Sequence, residues 1–393
     1  MTSSDLQVNS ISESLLGKSI DVVITGSIGS VEAVRFLRSL RRLGADVHPW
    51  LSKGAKLFTT ETAVSWAAAR PVTTNFSGTA SHIALHDACI VSPASANFIS
   101  KISNGITDTP ESALVASYLG QGKPVLVMPN MHDSLIQAPA VAENLQKISQ
   151  WTHILQPRQE EGKQKFPEPK ELADQVSHVL NKPIKTKVVV CMGTTKGFID
   201  DVRYISNYSS GGLGTAISEE LYRWGFTTDV VCGPCEIKPK SFSKMIQVET
   251  NEQMLEACQK ALVGNSALVM LASVLDFVPE KKLSGKLSSS EELKVEFKKT
   301  DKIISQLQPS SGLKVGFKLE AELPLEKASS IAKSYMTKYS LSYMVLNQLS
   351  LVSNNRHTAY LFDESGYEEC SGKNTIAAKI TTHFKKRLSN LEH

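Results

Sequence analysis

The amino-acid sequence predicts an α/β protein built from two Rossmann-like domains with mostly parallel sheets. The chain has 393 residues, too many for one ordinary hydrophobic core, so two domains of about 150 to 200 residues are expected. Each half repeats the order strand, glycine-containing turn, helix, which is typical of parallel sheets covered by helices on both faces. A polar segment punctuated by prolines, residues 157–187, separates the two halves.

The composition excludes several classes of protein. The net charge is only +4, and no block of lysines and arginines interleaved with aromatic residues suggests a nucleic-acid partner. No apolar run approaches the roughly 18 residues of a membrane helix, and residues 1–17 lack the basic and apolar regions of a secretory signal. Six cysteines in so long a chain are not a disulfide framework, so we expect a cytoplasmic protein.

The first half begins with a buried strand and glycine turn at residues 20–30. A helix is predicted from Val31 onward, with Val31, Val34, Leu37 and Leu40 on its apolar face. Further apolar strands are expected at residues 45–52, 86–95 and 123–130. A short helix at residues 169–180 should close this half, followed by a hinge at residues 181–187, so the expected domains are residues 18–183 and 184–393.

The second half repeats the same order of elements. A strand at residues 187–195 precedes a helix at residues 212–225, and further strands are predicted at residues 227–234, 266–277 and 313–320. The last predicted helix, residues 374–388, is basic, and we expect it to present a solvated face.

The tetrapeptide CGPC, Cys232 to Cys235, matches a redox motif, but its position favours another interpretation. A redox pair needs its first thiolate at the N-terminus of a helix, where the helix dipole lowers the thiol pKa. Here the pair follows a strand and leads into a loop containing proline and lysine, and two further zinc ligands are missing nearby. An ordinary turn at a strand end is the favoured interpretation.

A glycine-rich loop precedes the helix at residues 212–225 and has the chemistry of a phosphate site. Such a site needs free backbone N–H groups, a helix N-terminus and a cation. Arg203 is the nearest cation in the sequence, and Asn207 is an amide able to donate to an anionic or polarised oxygen. The backbone donors would come from Ser209, Ser210, Gly211, Gly212 and Gly214. On spacing alone, the loop could instead be a tight connection between strand and helix, with the serines capping the N-terminus of the helix.

The segment DDVRYISNYSSGGLG, residues 200–214, resembles the DPVRYISNxSSGxxG signature of phosphopantothenoylcysteine synthetases, the ligase half of bifunctional coenzyme A biosynthesis flavoproteins. LASVLDF, VGFKLE and MVLNQLS resemble further family segments in the same order. The resemblance implies that the carboxylate of 4'-phosphopantothenate attacks the α-phosphate of CTP with the help of Mg²⁺. The amine of cysteine then displaces CMP from the acyl-cytidylate. CTP and ATP remain alternatives on sequence.

The resemblance also implies roles for individual residues. Asn207 and Lys286 would be catalytic, with Lys281 and Lys282 as competitors for the lysine role. Asp276 and Phe317 would line the cytidine site, and Lys338 would contact the triphosphate. The remaining nucleotide or substrate contacts would be Arg203, Ser209, Ser210, Gly211 and Gly212.

In the first half, ITGSIGS and SHIALHDACIVSPASANFISKISNGITD resemble segments of the FMN-containing cysteine decarboxylases. The resemblance implies that His82 is the catalytic histidine, although a lone histidine beside apolar residues is more often structural. It also implies that FMN contacts Gly26, Ser27, Ile28, Ser52, Ser92, Ser95 and Asn97.

The first half also departs from the decarboxylase pattern. His132 stands where the family has a substrate-binding asparagine, and Asn130 lies two positions earlier. The segment that resembles the substrate clamp, residues 160–172, lacks its cysteine, and no cysteine occurs between Cys89 and Cys191. Two interpretations stay open: decarboxylation of 4'-phosphopantothenoylcysteine with His132 or another acid replacing the thiol, or a degenerate scaffold that binds FMN.

The partners implied by the resemblance are copies of this chain. The first domain would form a trimer and the second a dimer, with no nucleic acid or membrane partner. A different class of function, a non-catalytic flavin-binding regulatory protein, would leave the synthetase signature unexplained.

Overall fold

A computed structural model describes residues 6–160, 163–181, 184–288, 293–352 and 357–389. The chain divides into two compact units, Met1–Lys182 and Pro183–His393. Each unit has a largely parallel sheet with helices, which confirms the predicted fold class. Of the predicted hinge, residues 182 and 183 lie outside the described residues, as do residues 161 and 162 of the clamp segment. In the described part of the chain, no helix combines the length and the apolar character needed to cross a membrane.

The first unit contains a five-stranded parallel sheet. Its strand order is β2, β1, β3, β4, β5, the order of flavodoxin-like sheets. A separate antiparallel ribbon is formed by β6 and β7. The strands are β1 (Ser19–Ile24), β2 (Asp46–Leu51), β3 (Ala88–Ala94), β4 (Val125–Pro129), β5 (His153–Ile154), β6 (Arg158–Glu160) and β7 (Lys163–Lys165).

Helices cover both faces of this sheet, because side chains alternate along each strand. Val22 of β1 packs into one core, whereas Val23 faces the other. The first core also receives α1, α2 and α7, and the second receives α3, α4 and α6. The helices are α1 (Ala33–Arg42), α2 (Glu61–Ala68), α3 (Ala96–Asn104), α4 (Pro110–Gly120), α5 (Asp133–Ile136), α6 (Pro139–Ile148) and α7 (Pro169–Leu180).

The helix predicted from Val31 begins two residues later. Ile28–Glu32 form a 3₁₀ turn instead, and Val31 is exposed rather than part of the apolar face. The turn is held by Ser30, whose hydroxyl donates to the Thr25 carbonyl at 2.7 Å. Because this turn folds back on the end of β1, the regular helix starts only after it.

The second unit contains an eight-stranded sheet in the order β12, β11, β8, β13, β16, β17, β18, β19. Pairing is parallel from β12 to β17 and antiparallel from β17 to β19. Two small antiparallel pairs, β9 with β10 and β14 with β15, lie apart from it. The strands are β8 (Ile184–Met192), β9 (Lys196–Phe198), β10 (Tyr204–Ser206), β11 (Phe226–Cys232), β12 (Lys244–Gln247), β13 (Ser266–Met270), β14 (Phe277–Pro279), β15 (Phe297–Lys299), β16 (Lys314–Glu320), β17 (Tyr343–Val352), β18 (His357–Phe362) and β19 (Tyr367–Ser371).

The helices of the second unit are α8 (Gly212–Arg223), α9 (Asn251–Ala261), α10 (Leu325–Tyr339) and α11 (Lys373–Ser389). The last of these presents the solvated basic face that its sequence predicted, with Lys379, Lys386 and Arg387 exposed, and its other face packs into the core. Ile376, Ile380 and Phe384 are buried in the core beside α8 and the sheet, and Phe384 meets Phe226 edge to face. The spacing of these residues by four places one apolar stripe inward and leaves the basic side chains outside.

Candidate functional site

A cavity of about 590 Å³ lies at the carboxyl ends of the central strands of the second unit. Loops that follow β8, β10 and β13 surround it, together with the ends of β16 and β17. This is where ligands bind in open parallel sheets. The structure brings together here the predicted residues Asn207, Ser209, Ser210, Gly211, Gly212, Asp276 and Phe317.

The glycine-rich loop is held in shape by a neighbouring segment. Gly211 precedes the first residue of α8 and has a φ of 80°, the left-handed region that favours glycine. A Cβ added there would lie 2.2 Å from the carbonyl oxygen of Ile237. The Ile237 N–H in turn donates to the Ser210 carbonyl at 2.9 Å. The loop therefore leads directly into the helix, with its first-turn amides at the cavity.

The side-chain amide of Asn207 donates to the protein itself, whereas the sequence predicted that it donates to an oxygen of the ligand. Its Nδ2 donates to the carbonyl oxygens of Ser273 and Val274, at 3.2 Å each. Both acceptors belong to the loop after β13, so the side chain links two walls of the cavity. Because the N–H groups point to these carbonyls, the amide oxygen is the atom left for a ligand.

The cavity is also lined by a charged pair and by an aromatic ring. Asp276 forms an ion pair with Lys302, and Thr300 donates its hydroxyl to the Leu275 carbonyl at 2.7 Å. Phe317, in the middle of β16, lines the same cavity. Lys302 was not identified from the sequence, which contains no motif around it that distinguishes it from other exposed lysines.

The predicted arginine does not line the cavity of its own chain. The Arg203 guanidinium binds Asp200 at 3.1 Å and the Leu287 carbonyl at 3.2 Å. Asp200 is fully buried, and the N–H groups of Arg203, Val202 and Leu287 hold its carboxyl pKa below the ordinary value. Arg203 thus joins the turn before β10 to residues 281–287, and its substrate role stays a prediction.

The predicted lysines also lie outside the cavity. Lys282 pairs with Asp201 at 2.7 Å, and Lys281 and Lys286 are exposed in the same segment. Lys338 lies over the ring of Tyr339 at 5.3 Å, and only the tyrosine lines the cavity. The roles assigned to these lysines stay predictions.

Sequence reasoning missed His357 and Lys373, which do line the cavity. They belong to β18 and α11, far along the chain from the glycine-rich loop. Neither stands in a recognisable motif, so the sequence contained no signal that placed them here.

Cys232 and Cys235 lie at the end of β11, where they form a turn beside the glycine-rich loop. Their sulfur atoms are 3.7 Å apart, and both thiols are free. Burial raises the pKa of Cys232 to about 12, the opposite of the shift that a redox-active thiolate needs.

The first unit has a second cavity, of about 560 Å³, at the carboxyl ends of β1, β2, β3 and β4. Gly26 and Gly54 lie side by side in its wall, and a Cβ on Gly26 would lie 2.9 Å from a backbone atom of Gly54. The two loops can approach this closely only without side chains. The predicted residues that line the cavity are Gly26, Ser27, Ser52, Ser95, Asn97 and Asn130.

Asn130 stabilises the loop after β1 by side-chain hydrogen bonds. Its Oδ1 accepts hydrogen bonds from the Ser27 hydroxyl and from the Gly29 N–H, the latter at 3.1 Å. Ser95 caps α3 by accepting from the Phe98 N–H. The cavity therefore has hydroxyl groups, loop amides and a helix N-terminus along one side, which are the donors that a phosphate needs.

Four predicted residues of the first unit lie elsewhere. Ile28 is exposed on the 3₁₀ turn, and Ser92 is buried within β3. His82 packs edge to face against Phe76, with ring centroids 5.6 Å apart. His132 caps the short helix α5, where its Nδ1 accepts from the Ser134 N–H at 3.2 Å. Their roles at a flavin or substrate stay predictions.

Glu111 is a lining residue that the sequence reasoning missed. It is 6% exposed, and burial raises the pKa of its carboxyl above the ordinary value. Lys101, also in this wall, forms an ion pair with Asp108 at 2.7 Å.

Two family models match the chain and together span most of it. The DNA/pantothenate metabolism flavoprotein C-terminal domain matches residues 184–388, and the family described as Flavoprotein matches residues 8–181.

Individual relatives match over nearly the whole length. The chain is 35% identical to the coenzyme A biosynthesis bifunctional protein CoaBC of Thermococcus kodakarensis over 365 residues, which cover 89% of this chain and 90% of the relative. It is 30% identical to the protein of the same name from Methanocaldococcus jannaschii over 392 residues, 96% of both chains. The solved structure of the DNA/pantothenate metabolism flavoprotein from Streptococcus pneumoniae is 23% identical, with a TM-score of 0.48, and covers 51% of this chain and 99% of its own.

Proposed function

Because the chain belongs to the family of bifunctional coenzyme A biosynthesis proteins, which join a decarboxylase-like flavoprotein domain to a ligase domain, we propose that residues 184–393 ligate 4'-phosphopantothenate to cysteine with CTP. The observation that supports this assignment best is the cavity of the second unit. It combines the glycine-rich loop, Asn207 and Asp276 at the strand ends of one sheet. We propose residues 18–183 as the flavin domain.

The ligation proceeds in two displacements at phosphorus and carbon. A carboxylate oxygen of 4'-phosphopantothenate attacks the α-phosphorus of CTP, and pyrophosphate leaves with the electron pair of the broken P–O bond. The cysteine amine then attacks the acyl carbon, CMP leaves, and the amine loses a proton. The first step brings an anion against a polyphosphate, so backbone N–H groups, cations and Mg²⁺ must neutralise charge. Mg²⁺ enters with the triphosphate, whose oxygens it prefers as ligands.

The geometry supports a revised role for Asn207. Its Nδ2 holds the loop at Ser273 and Val274, which leaves Oδ1 to accept a hydrogen bond from the attacking amine. The amine becomes positive as the C–N bond forms, so an acceptor at that point stabilises the transition state more than the ground state. Asp276 and Phe317 line the nucleoside part of the proposed site.

The ligase proposal is tested by incubating the full-length protein with 4'-phosphopantothenate, cysteine, CTP and Mg²⁺ and following products by mass. We expect CMP and pyrophosphate in equal amounts, matched by the sum of phosphopantothenoylcysteine and any 4'-phosphopantetheine formed from it. A parallel reaction with ATP decides the nucleotide preference. Absence of product with either nucleotide would overturn the proposal.

For the first unit, we propose FMN as the bound flavin. The residues fit this group: Gly26 and Gly54 line the cavity with backbone rather than side chains, and the hydroxyl groups of Ser27, Ser52 and Ser95 lie in its wall. When bound, FMN supplies the redox chemistry of a cysteine decarboxylase. The residues that line the cavity would hold the phosphate of this group.

We propose decarboxylation of 4'-phosphopantothenoylcysteine as the activity of this unit, with His132 or another acid in place of the missing thiol. A second candidate, a scaffold that binds FMN without turnover, is favoured by the absence of any cysteine between Cys89 and Cys191. The reaction described above separates the two, because only an active unit converts the ligation product to 4'-phosphopantetheine and CO₂.

Exchanging Asn130 for aspartate tests the phosphate end of the flavin site. The variant Asn130→Asp keeps the shape but sets a negative charge beside Ser27 and Gly29. We expect roughly 10-fold weaker binding of FMN, because like charges at this range repel, and unchanged binding of riboflavin, which has no phosphate. Fluorescence titration of the flavin-free protein measures both constants.

The matched control is Asn144→Asp, which makes the same chemical change outside the cavity, where Asn144 binds the hydroxyls of Ser100 and Ser103. It should bind both flavins as the wild-type protein does. An equal loss of FMN and riboflavin in Asn130→Asp would contradict the assignment of a phosphate site.

We also propose a cytoplasmic homo-oligomer, a trimer through the first unit and a dimer through the second. Large apolar side chains are exposed on the small hairpins of the second unit, including Tyr204, Phe277 and Phe297. Arg203 and Lys286 lie near them, so dimerisation through this surface would explain why these cations do not reach the cavity of their own chain.

A further inference from the structure

Lys373 brings an ammonium group to the glycine-rich loop. A Cβ added to Gly212 would lie 2.9 Å from its Nζ, so the lysine runs beside the first residue of α8. It is partly buried and lines the cavity. Within the described residues it forms no hydrogen bond or ion pair, in contrast to Lys302, another lining residue, which Asp276 neutralises. The positive charge at this end of the cavity is therefore uncompensated.

His357 fixes the orientation of a second donor at the same end. The distance from its Nε2 to the Asn347 Oδ1 is 2.9 Å. The His357 Nδ1 is buried without a partner among the described residues. A buried N–H left without an acceptor is rare, so the proton belongs on Nε2, which donates to Asn347. The Asn347 Nδ2 is then turned away from the histidine, and Asn347 lines the cavity.

His357 remains neutral in this position. Burial, and next the positive charge of Lys373, lower the pKa of its imidazole below the ordinary value. A neutral imidazole adds no charge of its own, so the cation at this end of the cavity is Lys373. Arg203, Lys282, Lys286 and Lys338 do not line the cavity and cannot neutralise an anion there within one chain.

We propose that Lys373 is the cation that binds the polyphosphate of the nucleotide at the glycine-rich loop, and that His357 is a positioning residue that aims the Asn347 amide at the same anion. This inference rests on the proposed ligase function and names residues of that site that recognise the triphosphate. The backbone N–H groups of the α8 N-terminus and the ammonium then contact the anion together.

Lys373→Met tests the first part by calorimetry on the full-length protein with Mg²⁺. The probes are CTP, inorganic tripolyphosphate and cytidine. We expect roughly 10- to 100-fold weaker binding of CTP and tripolyphosphate, the loss of one charge-assisted hydrogen bond, and unchanged binding of cytidine. Lys373→Arg should recover most of the affinity, because it restores a cation.

The matched control is Lys379→Met, on the same helix, where the lysine pairs with Glu368 at 2.8 Å and does not line the cavity. It should leave all three affinities unchanged. An unchanged CTP affinity in Lys373→Met, an equal loss of cytidine binding, or the same loss in Lys379→Met would overturn the assignment. Failure of the wild-type protein to ligate would instead overturn the proposed function. The tripolyphosphate titration would still test whether Lys373 binds a polyphosphate.

The positioning role is tested by comparing His357→Phe with His357→Gln. The phenylalanine removes the donor to Asn347, whereas the glutamine amide can replace it. We expect KM for CTP to rise roughly 10-fold in His357→Phe, with a smaller change in kcat, and to return toward the wild-type value in His357→Gln. Equal KM values in the two variants would overturn the role, because a merely structural residue would not respond to restoring a donor.

Discussion

Gly211→Ala is expected to lower the rate of ligation by about 100-fold or more. Gly211 has a φ of 80°, where an L side chain costs roughly 1 to 2 kcal/mol. The added Cβ would also lie 2.2 Å from the Ile237 carbonyl oxygen and 2.9 Å from the Cys235 sulfur. The first of these neighbours is backbone, so the loop itself must move. A displacement near 1 Å at a catalytic loop costs on the order of 100-fold in rate.

The control variant Gly264→Ala tests the effect of backbone strain without a steric clash of the added Cβ. Gly264 has a nearly equal φ of 82°, but no atom lies within 4 Å of the position of its Cβ. This variant should lose some thermal stability and retain ligation. Mass-based rate measurements and thermal unfolding of both variants provide the comparison. If Gly211→Ala folds and ligates within about tenfold of the wild-type rate, the loop geometry described here is not required.

Asn207→Asp is expected to slow the attack of cysteine on the acyl-cytidylate by about 100- to 1,000-fold, the range found when one preorganised polar contact is lost. The aspartate would place a carboxylate oxygen where Nδ2 now donates to Ser273 and Val274, so attraction to two carbonyl oxygens becomes repulsion. The added negative charge also lies in the cavity proposed for the triphosphate, so CTP binding should weaken, by about 10-fold at most. This loss is smaller than the loss expected in the second step, so the acyl-cytidylate should accumulate.

Rapid quenching and mass detection of the intermediate measure the two steps separately. Asn265→Asp, the same chemical change at an exposed position outside the cavity, serves as the control and should ligate normally. A parallel loss of CTP binding in Asn207→Asp would show that the residue shapes the nucleotide site, and the assignment to the second step would then be wrong.

Much of the fold could be predicted because it depends on local patterns. The predicted helix at residues 169–180 is α7, and the apolar runs of both halves became the parallel strands. The late start of the helix after β1 was also local in origin, because a 3₁₀ turn precedes it. The helix α11 presents the predicted solvated face, and its apolar stripe packs in the core.

The candidate sites were predictable where the backbone of a loop between a strand and a helix lines the cavity. Ser209 to Gly212 join strand and helix, and Gly26 and Ser27 follow β1, so their backbone N–H groups reach a strand end for any sequence that folds in this order. Some residues were assigned to a site from the family resemblance alone. Of these, Ile28, Ser92 and Lys338 do not line the cavities of the described chain.

The sequence alone therefore determined the two mostly parallel sheets, the order of their predicted elements and the loops at which ligands should bind, because hydrophobic periodicity and glycine turns act over a few neighbouring residues. Only the tertiary structure decided which charges reach those loops. Lys373 meets Gly212 because α11 packs beside α8, and His357 meets Asn347 because β18 pairs with β17. Such contacts join residues that are distant in the chain, and they arise from packing and strand pairing rather than from any local pattern.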